Sequence, residues 1–147
     1  GLRSTARGAF QLILHLLLAT RILQLDQAVI PIERLIGLGA GLTPMGDDFL
    51  VGYMTGLWSS AGRDVLRLQF LASLGARLAV AAMGTNEISR AYIHSAIKGH
   101  VAEPLASLAR QLDRPISDEH VRTATLAVLE IGHSSGTGGV AGLLAPM

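Results

Sequence analysis

The sequence contains no cysteine, which rules out a disulfide framework, a thiolate nucleophile and any zinc site built on Cys ligands. Aromatic residues make up only 4%, so there are few platforms on which bases could stack. Charge is scarce too: 16% of residues are charged, with 12 basic against 11 acidic and a formal net charge of +1. No basic cluster interleaved with aromatics occurs, and a nucleic-acid partner is not expected. The early part of the chain also lacks a long apolar run. The most apolar early stretch, Leu12 to Ala19, is broken by His15, flanked by Arg7 and Arg21, and falls short of the ~18–20 residues of a membrane span. Thr20-Arg21 offers no small-residue cleavage site, so the stretch reads as a buried helix and not as a signal peptide. No membrane association is expected, and the cytoplasm is the expected location.

What the chain does have is apolar bulk. Its 147 residues suit a single domain with a sizeable core, half of them are hydrophobic, and the mean hydropathy is +0.44. That is apolar for a lone domain, and two readings stay open: a homo-oligomer with apolar interfaces, or a piece of a longer protein or complex lacking a packing partner. Gly1 to Gly8 contains no initiator Met, which suits the second.

Periodicity predicts an all-α fold of about seven helices around a central apolar one. Ala6–Gln24 is leucine-rich and helical. Val29–Leu35 is ambiguous, with Pro31 able to open a short helix. Thr43 as cap and Pro44 as first helical residue start a helix to about Trp58 that is apolar nearly all round, the pattern of a buried central element. Gly52 and Gly56, four apart on it, would let another helix approach closely. Ser59–Gly62 reads as a turn and Asp64–Met83 as a long amphipathic helix. Thr85 caps Asn86–Lys98, and Gly99 closes it. Further helices run from Pro104 to about Leu112 and from Ser117–Asp118 to about Glu130. Gly132–Gly139 reads as a loop before a short apolar tail.

Three polar segments precede helices: Gly37–Asp48 (GLGAGLTPMGDD), Thr85–Arg90 (TNEISR) and Gly132–Gly139 (GHSSGTGG). Free N–H groups and a partial positive charge make helix N-termini anion sites, and glycines let backbone approach a ligand. The candidate ligand-binding residues are Gly39, Gly41, Thr43, Gly46, Thr85, Ser89, Arg90, Ser134, Ser135 and Thr137, with Arg90 suited to an oxyanion. Thr85 alone reads as a cap. Four glycines in twelve residues at Gly37–Asp48 point to function, because they carry a large entropic cost.

Asp47, Asp48 and His133 are the candidate catalytic residues. Carboxylates one turn into an apolar helix are costly to bury unpaired. They could form a hard-metal site, act as general base, accept from a substrate amine, or merely complement the helix dipole. Neighbours on a helix point about 100° apart, so the two aspartates can divide these roles, with Asp48 as the functional one. Gly132–Gly136 fits the G-x-S-x-G elbow of serine hydrolases, but no Asp, Glu or His follows it to complete a triad in that order. His133 reads as a ligand contact, a loop-ordering donor or a structural histidine. His15, His94, His100 and His120 show no metal-ligand spacing, a P-loop lysine is missing, and the residues indicate no particular metal or cofactor.

The stretch GLGAGLTPMGDDFLVG, Gly37 to Gly52, closely resembles the pattern G-L-G-x-G-L-T-P-S-G-D-D-F-L-x-G. That pattern belongs to a bacterial family that includes the AllH-type subunit of oxamate carbamoyltransferase, from anaerobic allantoin catabolism. Ile88–Leu105 and GHSSGT, Gly132 to Thr137, resemble it in the same order, and the likeness runs from about Ile36 to the C-terminus. Met45 replaces a small hydroxyl residue, and Gly138 replaces an acidic one. Family members are longer at the N-terminus, which makes this chain their helical C-terminal part. The resemblance implies a transferase subunit that moves a carbamoyl group between oxamate and phosphate, with small anionic metabolites as ligands and electrostatic preorganisation as the main device. The competing class is a non-catalytic helical assembly subunit whose loops only cap helices. The three loops would converge in the first case and lie on separate faces in the second.

Overall fold

The computed structural model describes residues 1–132 and 134–147, and among them it is all-helical. The helices are α1 Leu2–Arg21, α2 Leu25–Leu35, α3 Met45–Ala61, α4 Val65–Ala81, α5 Glu87–Ile97, α6 Glu103–Asp113, α7 Asp118–Leu129 and α8 Ser135–Leu144. One turn of 3-10 helix, Ala82–Gly84, continues α4.

The apolar circumference of α3 predicts a central position, and α8, α5, α6, α4 and α2 all pack on it. One core cluster joins Leu16, Ile32, Leu50, Tyr53, Leu74 and Leu78, each fully buried. A smaller one joins Leu105, Leu108, Val128 and Leu143. Each such leucine contributes about 1.5–3 kcal/mol of transfer free energy. Tyr53 keeps its polar end satisfied in this core, its hydroxyl lying 2.5 Å from Thr20 Oγ1, while Thr20 donates to the Leu16 carbonyl at 2.7 Å. Burial pushes the Tyr53 phenol pKa up.

The helix that approaches Gly52 and Gly56 is α8. A Cβ on Gly52 would run into the Gly139 carbonyl, and one on Gly142 into that of Phe49, so these backbones touch. This corrects the reading of Gly132–Gly139 as a loop: the chain is helical from Ser135 on, and Gly136, Gly138 and Gly139 are buried inside that helix. Their low helix propensity, about 1 kcal/mol each against Ala, is offset at Gly136 and Gly138 by close packing, where a Cβ would run into the Val128 carbonyl and the Asp48 side chain.

Other boundaries also move. The first helix begins at Leu2 rather than Ala6. The ambiguous Val29–Leu35 segment belongs to a helix from Leu25, with Pro31 inside it. Helix α3 runs through Ser59 to Ala61, beyond the turn read at Ser59. Asp64 and Ser117 cap α4 and α7 through their side chains, at the starts read for those helices.

Two further features follow from the apolar bulk. Phe10, Leu14 and Leu18 on α1 and Ile22 just after it, spaced four apart, are all exposed. The stretch Val65–Gly84 is long and apolar enough to cross a membrane by length and composition; Phe70, Leu71, Leu74 and Leu78 on it are packed in the core.

Candidate functional site

The chain between α2 and α3 needs its glycines for backbone reasons. Gly37, Gly39 and Gly41 all have positive φ (70°, 118° and 95°), and a Cβ on Gly39 would sit 2.9 Å from the Met45 nitrogen. Gly46 is instead required by packing, its Cα lying against the Leu35 carbonyl. The loop is thereby folded back under the first turn of α3, where Gly46 N–H donates to the Leu38 carbonyl at 2.9 Å. Asp47 and Asp48 N–H donate to the Pro44 carbonyl at 3.0 and 3.1 Å. Pro44, and not Thr43, is the N-cap residue, and no side chain caps the helix. These three N–H groups are therefore committed within the fold, which removes much of the anion-binding capacity expected at this helix start.

Asp47 ties two loops together. Its side chain is 1% exposed; Oδ1 accepts from Gly37 N–H at 2.7 Å and Oδ2 from the Thr85 hydroxyl at 2.6 Å. Thr85 thus serves Asp47 and does not cap α5. That cap is Asn86, whose Oδ1 accepts from Ser89 N–H at 3.0 Å while its amide donates to the Leu42 carbonyl at 2.9 Å. Ser89, 2% exposed, also leans on Leu42 through its hydroxyl. Arg90 closes the C-terminal end of the preceding helix. Its Nε donates to the Ala82 carbonyl at 3.3 Å, and one terminal nitrogen to those of Met83 and Thr85 at 3.4 and 3.0 Å. A guanidinium spent on carbonyls at a helix end acts as a cap with favourable dipole alignment.

Thr43 joins the first loop to the third, its hydroxyl 2.5 Å from that of Ser135 at the start of α8. All three loops therefore meet on one side of the molecule, with Gly37–Asp48 in the middle. Beside the Thr43–Ser135 pair stands Asp48. Its Oδ2 is buried and has no hydrogen-bond partner among the described residues. Burial raises the Asp48 pKa from 3.8 to about 6; the Asp47 charge adds to the rise, while the hydroxyls of Ser135 and Thr43 oppose it.

Asp48 looks into a cavity of about 400 Å³ between α3, α5, α6, α7 and α8. Thr43, Asp48 and Ser135 form one polar edge; Tyr92, Ser95 and His100 add polar groups from α5 and the segment after it. Val51, Val101, Leu105, Val128 and Ile131 make the rest of the wall largely apolar. The lining holds no Lys or Arg among the described residues.

Of the residues singled out in the sequence, Thr43, Asp48 and Ser135 line this cavity. Gly39, Gly41 and Gly46 shape the loop behind it, and Asp47, Thr85, Ser89 and Arg90 brace it. Ser134 is the N-cap residue of α8, its carbonyl taking Gly138 N–H at 3.2 Å, and Thr137 is exposed. His133 lies outside the described residues. Gly138 fits against Asp48: a Cβ there would stand 2.9 Å from the Asp48 Cβ. No group of three His, Cys, Asp or Glu among the described residues could hold a metal ion. Sequence reasoning missed Tyr92, Ser95 and the apolar wall. Tyr92 and Ser95, three apart on α5, share a face, and that spacing inside the family-like stretch Ile88–Leu105 was the available signal.

The family described as oxamate carbamoyltransferase subunit AllH matches residues 35–147, from the end of α2 to the C-terminus. No curated protein and no solved structure matches the chain.

Proposed function

The chain belongs to the AllH family, and on that premise we propose that it is a carbamoyl-handling subunit of a transferase assembly, with Asp48 receiving the amide –NH2 of the substrate. The observation that carries this is the Asp48 side chain: the residue lines the cavity, and its buried Oδ2 has no hydrogen-bond partner within the described fold. An acceptor in that position costs free energy unless a ligand donor pairs with it. A primary amide fits the polar edge in both senses, giving N–H to Asp48 and accepting at its carbonyl from Thr43 or Ser135.

In carbamoyl transfer from carbamoyl phosphate, the acceptor nitrogen of oxamate bonds to the carbamoyl carbon. The C–O bond to phosphate breaks, phosphate leaves with the electron pair, and the nitrogen sheds a proton. A carboxyl with a pKa near 6 is matched to take that proton near neutral pH. The hydroxyls of Thr43, Ser135 and Ser95 supply further donors, and His100 adds an imidazole to the lining. A second reading, a non-catalytic assembly subunit, draws on two facts. Asp47, Thr85, Asn86 and Arg90 are all spent inside the fold, and α1 presents an exposed apolar stripe.

Calorimetric titration of oxamate and of carbamoyl phosphate into wild type and Asp48→Asn separates the two. Binding that falls at least tenfold in the mutant supports the site. Failure of wild type to bind either compound, or equal binding by both proteins, favours the assembly reading.

A further inference from the structure

The apolar wall is more than oxamate or carbamoyl phosphate can use. At about 30 Å³ for a water-sized group, the ~400 Å³ cavity takes about a dozen non-hydrogen atoms, and a bound oxamate would fill about half of it. Val51 of α3, Leu105 of α6, Val128 of α7 and Ile131 share the lining with the polar edge. Both small substrates consist of a polar amide joined to an anionic group and have no apolar surface to set against these side chains. The charge pattern points the same way. The lining offers a carboxylate and no Lys or Arg among the described residues, so an anionic group placed deep inside would meet Asp48 without a cation to compensate. Ligand pockets of this size generally pair a broad apolar surface with a few fixed polar groups, which select a ligand of the same division.

We propose that the cavity binds a neutral ureido or carboxamide group carrying an aliphatic substituent: the –CO–NH2 head lies on Asp48, Thr43 and Ser135, and the hydrocarbon lies on Val51, Leu105, Val128 and Ile131. This rests on the reading of Asp48 as amide acceptor and extends it, naming the carbamoylated aliphatic amine as the class that fills the remaining space.

The test is a homologous series, urea, methylurea, ethylurea, propylurea and butylurea, titrated calorimetrically into the chain. Affinity is expected to rise about fourfold per methylene, the equivalent of about 0.8 kcal/mol per buried CH2, until the wall is covered. Asp48→Asn should weaken every member by a similar factor. Val51→Thr, close to isosteric at a half-buried position, should reduce the gain per methylene. A flat series in wild type, with binding still dependent on Asp48, overturns the aliphatic assignment and leaves the amide reading standing. Absence of binding by every urea overturns both. A series that rises equally in wild type and Val51→Thr also overturns the assignment, because the hydrocarbon would then be lying elsewhere.

Discussion

Replacing Asp48 by Asn keeps the shape of the side chain and removes its charge, and stability and binding should respond with opposite signs. A carboxyl whose pKa rises from 3.8 to about 6 on folding makes the ionised folded state less stable by at most about 3 kcal/mol. Water screens a half-buried group, and about 1–2 kcal/mol is the realistic penalty. The folded state binds the proton more tightly than the unfolded state. The penalty is therefore absent below about pH 3.8 and grows as pH rises through 6, where it is complete. Asp48→Asn abolishes this dependence. At pH 7 the mutant should melt about 3–6 °C above wild type, and at pH 4 the two should melt together. Calorimetric melting of both proteins from pH 4 to 7.5, with oxamate titrations at pH 7, gives the answer. A mutant that is less stable at pH 7 yet binds normally would show that Asp48 only complements the dipole of α3, a role worth ~0.3–1 kcal/mol.

The neighbouring residue should behave in the reverse way. Asp47→Ala strands Gly37 N–H and the Thr85 hydroxyl, and should cost about 2–4 kcal/mol in urea unfolding; a loss under 1 kcal/mol would contradict its bracing role. Gly142→Ala drives a methyl into the Phe49 carbonyl where α3 and α8 touch, and should lower stability by about 3 kcal/mol or more. Wild-type melting behaviour there would mean that the two helices are further apart. Arg90→Ala frees three carbonyls and should cost about 1–2 kcal/mol while leaving ligand titrations unchanged. A loss of binding without a loss of stability would return Arg90 to the site.

Much of this architecture can be read from residue patterns, and the failures have physical causes. The apolar circumference of Phe49–Trp58 places α3 at the centre, and the Gly52–Gly56 spacing announces a close neighbour. That neighbour stays hidden because Gly136, Gly138, Gly139 and Gly142 argue locally against a helix; only contact with α3 makes helix the better state. Thr43 and Thr85 show how short-range rules lose to tertiary partners. Each stands where a cap belongs, yet their hydroxyls find Ser135 and Asp47, 92 and 38 residues away in sequence. The pair Asp47–Asp48 is legible as a division between bracing and exposure to the cavity, since adjacent helical positions diverge. Which residue does which depends on where Gly37 and Thr85 arrive. The apolar wall is illegible for a different reason: Val51, Leu105 and Val128 fit core periodicity on three separate helices, and nothing local distinguishes a core face from a cavity face.

The central claim is that a substrate amide docks on the Asp48 carboxylate, and a 13C NMR titration of that carboxyl measures it directly. In the free protein Asp48 should titrate near pH 6. With saturating oxamate its pKa should fall, because amide N–H donors stabilise the charged form. An Asp48 carboxyl that titrates at the same pH with and without bound oxamate would contradict the account.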